Sequence, residues 1–230
     1  MTNTLPPNTA AVLAFRLQGI TAEQLPDGER VVPRMGITGL NRSPRVIHYH
    51  RQSAMLLVRF HEGGTAGLVT TPMDELTGTS QGLDSLMDPR LAHEIEDRLD
   101  EAPDSASRIA VLQDFLKSRL PRHTPAPLIG EAIRKIRRSR GNVRIGELVR
   151  DLATNRDTLE KRFRHLMGAT PKMFSRIVRF QSFVDGYSTQ NSLTEAALQA
   201  GFYDQAHLVK EFQTFTGQTP SAFFLRPRRW

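Results

Sequence analysis

The chain has 230 residues, 39% hydrophobic and 24% charged, an ordinary balance for a globular protein of one large domain or two small ones. With no cysteine it can hold no disulfide, no thiolate metal site and no cysteine nucleophile. No stretch approaches the roughly twenty apolar residues of a membrane-spanning helix. Residues 1–20 also lack the basic n-region and apolar run of a signal peptide, so a cytoplasmic location without a membrane partner is expected. The net charge of +7 is divided unevenly: residues 1–120 carry 12 Lys+Arg against 15 Asp+Glu, and residues 121–230 carry 19 against 9. Lysine and arginine gain by displacing counterions from phosphate, so the second half points to a polyanionic partner. A basic but merely solvated surface would give the same count.

In chain order, residues 11–17, 45–50 and 54–61 are short runs of β-branched, aromatic or alternating apolar residues, and are expected to be strands. Clusters such as Gly39-Leu-Asn-Arg-Ser-Pro44 and Gly63-Gly64 separate them. Two helices are predicted at 89–100 and 105–120. The second places Ile109, Leu112, Phe115, Leu116 and Leu120 on one face, with Asp104 available as its cap. Residues 1–120 thus form a small α+β domain. Pro121-Arg-His-Thr-Pro-Ala-Pro127 holds three prolines in seven residues and reads as a stiff linker over 121–127. Residues 128–230 are helical by pattern, beginning with the basic run Arg134-Lys-Ile-Arg-Arg-Ser-Arg140 closed by Gly141.

An internal repeat follows. Residues 155–174 and 204–223 align at an offset of 49 with seven of 20 positions identical, including Leu159/Leu208, Phe163/Phe212, Gly168/Gly217, Thr170/Thr219 and Pro171/Pro220. Asn155 and Asp204 are N-caps, and the Leu/Phe pairs four apart face a core. The glycines stop each helix in the left-handed conformation, and Thr-Pro restarts the next one. Before each block lies a shorter helix, with Ile145, Leu148, Val149 and Leu152 in one copy and Leu193, Ala196, Ala197 and Ala200 in the other. Short connections, Ala153-Thr154 and Gly201-Phe-Tyr203, complete two helix-turn-helix units. A linker helix over 171–187 joins them.

Residues 145–224 resemble the DNA-binding domain of AraC/XylS-type regulators. The second copy carries the closer match, in Ala197-Leu-Gln-Ala-Gly-Phe-Tyr-Asp-Gln-Ala-His-Leu-Val-Lys-Glu-Phe212 and Gly217-Gln-Thr-Pro-Ser-Ala-Phe223. The front part, in Leu56-Leu-Val-Arg-Phe-His-Glu-Gly-Gly64 and the acidic helix pair, is similar to the effector or dimerisation half of one branch of that family. In a helix-turn-helix the second helix lies in the major groove. The exposed positions expected there are Arg156, Asp157, Glu160, Lys161 and Arg164, flanked by Arg162, and then Gln205, Ala206, His207, Lys210 and Glu211. The resemblance implies base reading from Asp157, Glu160 and Lys161, and from Gln205, Ala206 and Lys210. Gln205 suits adenine, Ala206 a thymine methyl, the acids a cytosine amino group, and the lysines guanine or phosphate. Lysine in place of the arginine many relatives carry argues against bidentate guanine reading. Arg176, Arg179 and the basic run 134–140 are assigned to phosphate or to acidic protein neighbours. The partners expected are duplex DNA and RNA polymerase, with a small-molecule effector and a second copy of the chain as candidates. The resemblance favours activation.

His48-Tyr-His50 and His61-Glu62 raise a metal site, but no third ligand stands at a supporting spacing, so surface or core histidines are the default. Gly63-Gly64 is too short for a phosphate loop, and no cofactor motif is present. The alkyl-transfer chemistry of some regulators with this architecture needs a cysteine, and no hydrolytic triad is evident, so no enzyme is expected. A nonspecific architectural DNA protein, or a regulator acting through protein partners, are the alternatives.

Overall fold

The computed structural model describes residues 1–50, 52–65, 67–119, 127–188 and 192–225. Eight strands come first: β1 (Thr2–Leu5), β2 (Val12–Gln18), β3 (Thr21–Leu25), β4 (Gly28–Val31), β5 (Met35–Thr38), β6 (Arg45–Tyr49), β7 (Ala54–Arg59) and β8 (Ser80–Gly82). They form two four-stranded antiparallel sheets in the orders β1-β6-β3-β4 and β7-β2-β5-β8. The three strands legible in the sequence are those with apolar alternation. In β2 that alternation buries Leu13 and Phe15 and turns Val12 and Ala14 away. Residues such as Thr21-Ala-Glu-Gln-Leu25 and Gly28-Glu-Arg-Val31 carry no such pattern and are strands because neighbours pair with them.

Between the sheets lies an ion pair. Glu23 on β3 is 3% exposed and accepts from Arg45 on β6 and from Arg30. Arg45 continues to the Ser80 hydroxyl on the other sheet at 2.9 Å, and Ser80 meets Thr38 at 2.6 Å. Burial alone would raise the Glu23 carboxyl. The hydrogen bonds and charges of Arg45 and Arg30 outweigh it and hold the group below the usual carboxylate range.

Two helices pack on the second sheet. Helix α1 (Pro89–Glu101), capped by Asp88, buries Ala92, Ile95 and Leu99, and α2 (Ser105–Arg119) buries Leu112 and Phe115. The Asp104 carboxylate accepts from Ser107 N at 2.8 Å, as a cap should. Ile109, expected on the buried face of α2, is 47% exposed: Leu112 and Phe115 are buried in the sheet-side core and Leu116 packs partly against it, so the apolar stripe is wider than the surface it covers. Leu120 and most of the proline-rich linker fall outside the described residues, and Pro127 already belongs to α3.

The helical region comprises α3 (Pro127–Arg138), α4 (Ile145–Asp151), α5 (Arg156–Met167), α6 (Pro171–Gly186), α7 (Leu193–Gln199), α8 (Gln205–Thr216) and α9 (Pro220–Phe224). Its axle is α6, which buries Phe174, Ile177, Val178, Phe180, Phe183 and Val184 in a core shared with both helix-turn-helix units. Phe163 meets Phe174 edge to face at 5.3 Å, and Phe212 meets Phe180 at 5.1 Å and Phe223 at 5.0 Å.

The sheet region touches the helical region at the end of α5. Met73 N donates to His165 O at 2.9 Å, while Thr77 Oγ1 and Arg42 donate to Gly168 O at 2.7 and 2.8 Å. Leu40 joins the helical core, and Arg137 of α3 pairs with Glu62 and donates to Thr9 at 2.6 Å. Burial would raise the Glu62 carboxyl, but the bond and charge of Arg137, with help from Thr9, hold it below its usual range. The segment supplying Met73 and Thr77 has no regular periodicity, only successive hydrogen-bonded turns, and sequence patterning does not single it out.

Candidate nucleic-acid interface

The two units are built alike. Asn155 Oδ1 accepts from Thr158 N at 2.8 Å and Asp204 Oδ1 from His207 N at 2.7 Å, so both second helices start where the sequence places them. Both stop at a left-handed glycine, Gly168 at φ 74° and Gly217 at φ 70°, and both restart with Thr-Pro, Thr170 capping Met173 N and Thr219 capping Ala222 N. Leu159, Phe163, Leu208 and Phe212 have no exposed surface. The opposite faces of α5 and α8 are thereby turned outward.

On α5, Arg156, Asp157, Lys161, Arg162 and Arg164 are exposed. Glu160 accepts from Arg156 at 2.9 Å and from Arg164 at 3.1 Å, one turn to either side. Such surface pairs are worth about 0.3–0.5 kcal/mol, so a DNA phosphate can replace the acid at little cost. On α8, Gln205, Ala206 and Lys210 are exposed. Thr194 Oγ1 on α7 donates to Gln205 Oε1 at 2.7 Å, which steadies the side chain and leaves its NH₂ for another acceptor. Lys161, Arg162 and Lys210 make no ion pair with any described residue.

Two residues expected on the outer face of α8 are turned inward. Glu211 is 4% exposed, and His207 is half-buried, with its Nδ1 accepting from Tyr203 N at 3.3 Å and its Nε2 3.5 Å from Glu211. Glu211 also receives Arg179 at 3.2 Å and Arg176 at 3.4 Å, which assigns those arginines to an acidic protein neighbour. The same holds along α3, where Arg134 pairs with Glu131, Lys135 with Asp151 and Arg137 with Glu62.

What the sequence reading passed over is the groove between the two units. Arg144, Arg156, Lys172 and Lys210 line it, with Arg176 and Arg179 along its floor. Arg144 sits just before α4 and Lys172 in the first turn of α6, so no single helix pattern groups them. Tyr203, 86% exposed in the second turn, is a further side chain beside α8 that the pattern did not mark. His48 and His50 do share a face, as alternation requires, and both approach Glu29, at 3.9 and 3.7 Å. Among the described residues no group of three or more His, Cys, Asp or Glu is arranged to hold a metal ion. Nor is any described helix long and apolar enough to cross a membrane.

Residues 148–226 match the helix-turn-helix domain family. No curated protein matches the chain. Among solved structures the chain is similar to ToxT from Vibrio cholerae, with TM-score 0.55 and 9% identity over 98% of this chain and 94% of that one. A structure of ToxT with an unsaturated fatty acid bound gives TM-score 0.51 and 13% identity over 98% and 91%. ToxT bound to (E)-4-(8-methylnaphthalen-1-yl)but-3-enoic acid gives 0.54 and 11% over 98% and 94%. At these identities the likeness is one of fold, two four-stranded sheets followed by a helical region. With the duplicated, identically capped units and the family match in hand, residues 148–226 of this chain are an AraC-type helix-turn-helix domain.

Proposed function

We propose that the chain is a sequence-specific regulator that lays α5 and α8 into successive major-groove segments of a promoter, and that it acts by binding rather than by catalysis. The observation that carries this reading is the paired geometry. Two helices start at capped N-termini, expose the first two residues of their first turn, bury an equivalent Leu/Phe face, and flank a groove lined by Arg144, Arg156, Lys172 and Lys210. A groove with six Lys and Arg side chains against one buried carboxylate, Glu211, is net positive and fits the phosphate backbone that must pass between two major-groove segments.

In this reading Asp157, Glu160 and Lys161 face one half of the site, and Gln205, Ala206 and Lys210 the other. Arg156, Arg162 and Arg164 serve phosphates, and His207 supports α8 from beneath. Residues 128–230 are the DNA-binding unit, joined to the front part by the proline-rich stretch 121–127, whose last residue, Pro127, opens α3. Residues 1–120 sense an effector, pair with a second copy, or both, and the bound protein recruits or occludes RNA polymerase in the cytoplasm. Both ToxT ligands are carboxylic acids, so small carboxylates are the first effector class to test on this chain.

The test is selection of bound duplexes from a random pool at two salt concentrations. A motif of two short blocks about one helical turn apart is expected. Gln205→Ala with Lys210→Ala should erase one block. Salt-sensitive binding without a motif would instead make this an architectural protein, and no binding at all would remove the DNA-reading role from the isolated chain.

A further inference from the structure

Glu211 stands where the internal repeat is broken. At the offset of 49 its counterpart is Arg162, an exposed residue of α5, whereas the Glu211 side chain is 4% exposed. A carboxylate withdrawn from water must be paired and hydrogen-bonded. Arg179 Nη2 reaches both of its oxygens at 3.2 Å, Arg176 Nε lies at 3.4 Å, and His207 Nε2 at 3.5 Å. Both arginines project from α6, three residues apart on one face. Each also packs its guanidinium on a ring of the second unit: Arg179 lies 4.6 Å over Phe202 and Arg176 5.3 Å over Phe215. Arg179 further donates to Gly201 O, in the turn that precedes α8. One buried carboxylate therefore ties together the linker helix, the turn and the second reading helix.

The first unit has a different attachment. Its reading helix ends under Met73, Thr77 and Arg42 of the sheet region, and position 162 contributes no buried charge. The angle between α8 and α6, and through α6 between α8 and α5, is thus set on one side by the Glu211 cluster. We propose that Glu211 is a positioning residue that fixes the spacing between the two halves of the DNA site. The inference rests on the reading that both helices enter DNA. It adds that their separation is enforced by this ion cluster rather than by the length of α6 alone.

The experiment measures binding of the full chain to duplexes in which the gap between the two selected half-motifs is changed one base pair at a time. The wild type should discriminate its best gap from its neighbours by about tenfold, the scale of one disrupted base position. Glu211→Gln, which keeps the shape and removes the charge, should reduce that discrimination to about threefold or less while leaving its affinity for a first-unit half-motif alone unchanged. Arg179→Lys keeps the charge but loses the two-oxygen contact, so it should relax the gap preference in the same direction. If Glu211→Gln does not fold, this second variant decides the question by the same criteria.

An equal loss at every gap would show a purely structural role and overturn the inference. So would an unchanged gap preference accompanied by tighter, more salt-sensitive binding, since Glu211 would then only mask two arginines from phosphate. A wild type that selects no two-part motif would instead defeat the DNA-reading proposal itself, a failure seen before any variant is made.

Discussion

The two helix-turn-helix units share their caps, their buried Leu/Phe pairs and their Thr-Pro restarts, yet different parts of the molecule hold them. The glycine ending α5 is sealed: a Cβ at Gly168 would lie 2.7 Å from Met73 O, and its carbonyl accepts from Thr77 and Arg42. The glycine ending α8 is open, with nothing within 4 Å of a Cβ at Gly217. The turns differ as well. In the first unit Ala153 occupies the left-handed region at φ 47°, where the second, one residue longer, uses Gly201 at φ 81°. Equal local chemistry thus builds equal helices, and their surroundings decide what each one responds to. A change in the sheet region reaches the end of α5 directly, through three hydrogen bonds to the backbone carbonyls of His165 and Gly168, whereas α8 is tied to α6 by the Glu211 cluster.

The largest test of this difference lies in the aromatic core. Phe212 meets Phe180, Phe183, Phe223 and Phe224, whereas Phe163 pairs with Phe174. Both Phe→Ala changes should cost about 3–5 kcal/mol, with Phe212→Ala at the upper end, as read by urea denaturation. Equal costs would mean that the second unit gains nothing from its denser ring cluster.

Next come the glycines. Gly217→Ala should cost about 1 kcal/mol, the strain of a left-handed alanine. Gly168→Ala adds a clash with backbone, so it should cost about 2–3 kcal/mol and loosen the sheet region from α5. Hydrogen exchange at Met73 N would report that loosening.

The contact between the regions should also be acid-sensitive. The folded Glu62 carboxyl is held below its usual value, so the stability it contributes is complete above about pH 4.5 and is lost as pH falls through the depressed value. Glu23, between the sheets, acts with the same sign. Glu62→Gln should lower the melting temperature at neutral pH and flatten its decline in acid. An unchanged acid profile would remove Glu62 from the account.

The smallest effect expected is a gain. Ala153→Gly relieves the left-handed alanine but raises the entropy of the unfolded chain, so it should stabilise by no more than about 0.5 kcal/mol. Gly201→Ala should instead destabilise, since its Cβ would fall 2.0 Å from the Asn142 amide.

Much of the helical half was legible in the sequence because its signals are local. Asn155, Gly168, Thr170 and Pro171 each specify a backbone event within four residues, and their repetition at 204, 217, 219 and 220 removes ambiguity. The sheet half carries its information in pairing partners far along the chain, so strands such as β3 and β4, polar and without alternation, could not be read one at a time. The site divides in the same way. The outward positions of α5 follow from helical period, but Glu211 satisfies that period and is nonetheless buried, because Arg176 and Arg179 of α6 arrive to neutralise it. The groove cations Arg144 and Lys172 are brought together only by tertiary packing.

The most direct test of the central claim is a hydroxyl-radical footprint of the chain on its selected duplex, repeated with each unit disabled. Two protected patches on one face of the DNA, about one helical turn apart, are predicted. Asp157→Ala with Lys161→Ala should remove only one of them, and Gln205→Ala with Lys210→Ala only the other. A single patch, or variants of one unit that erase both patches together, would contradict a molecule that reads DNA with two separately supported helices.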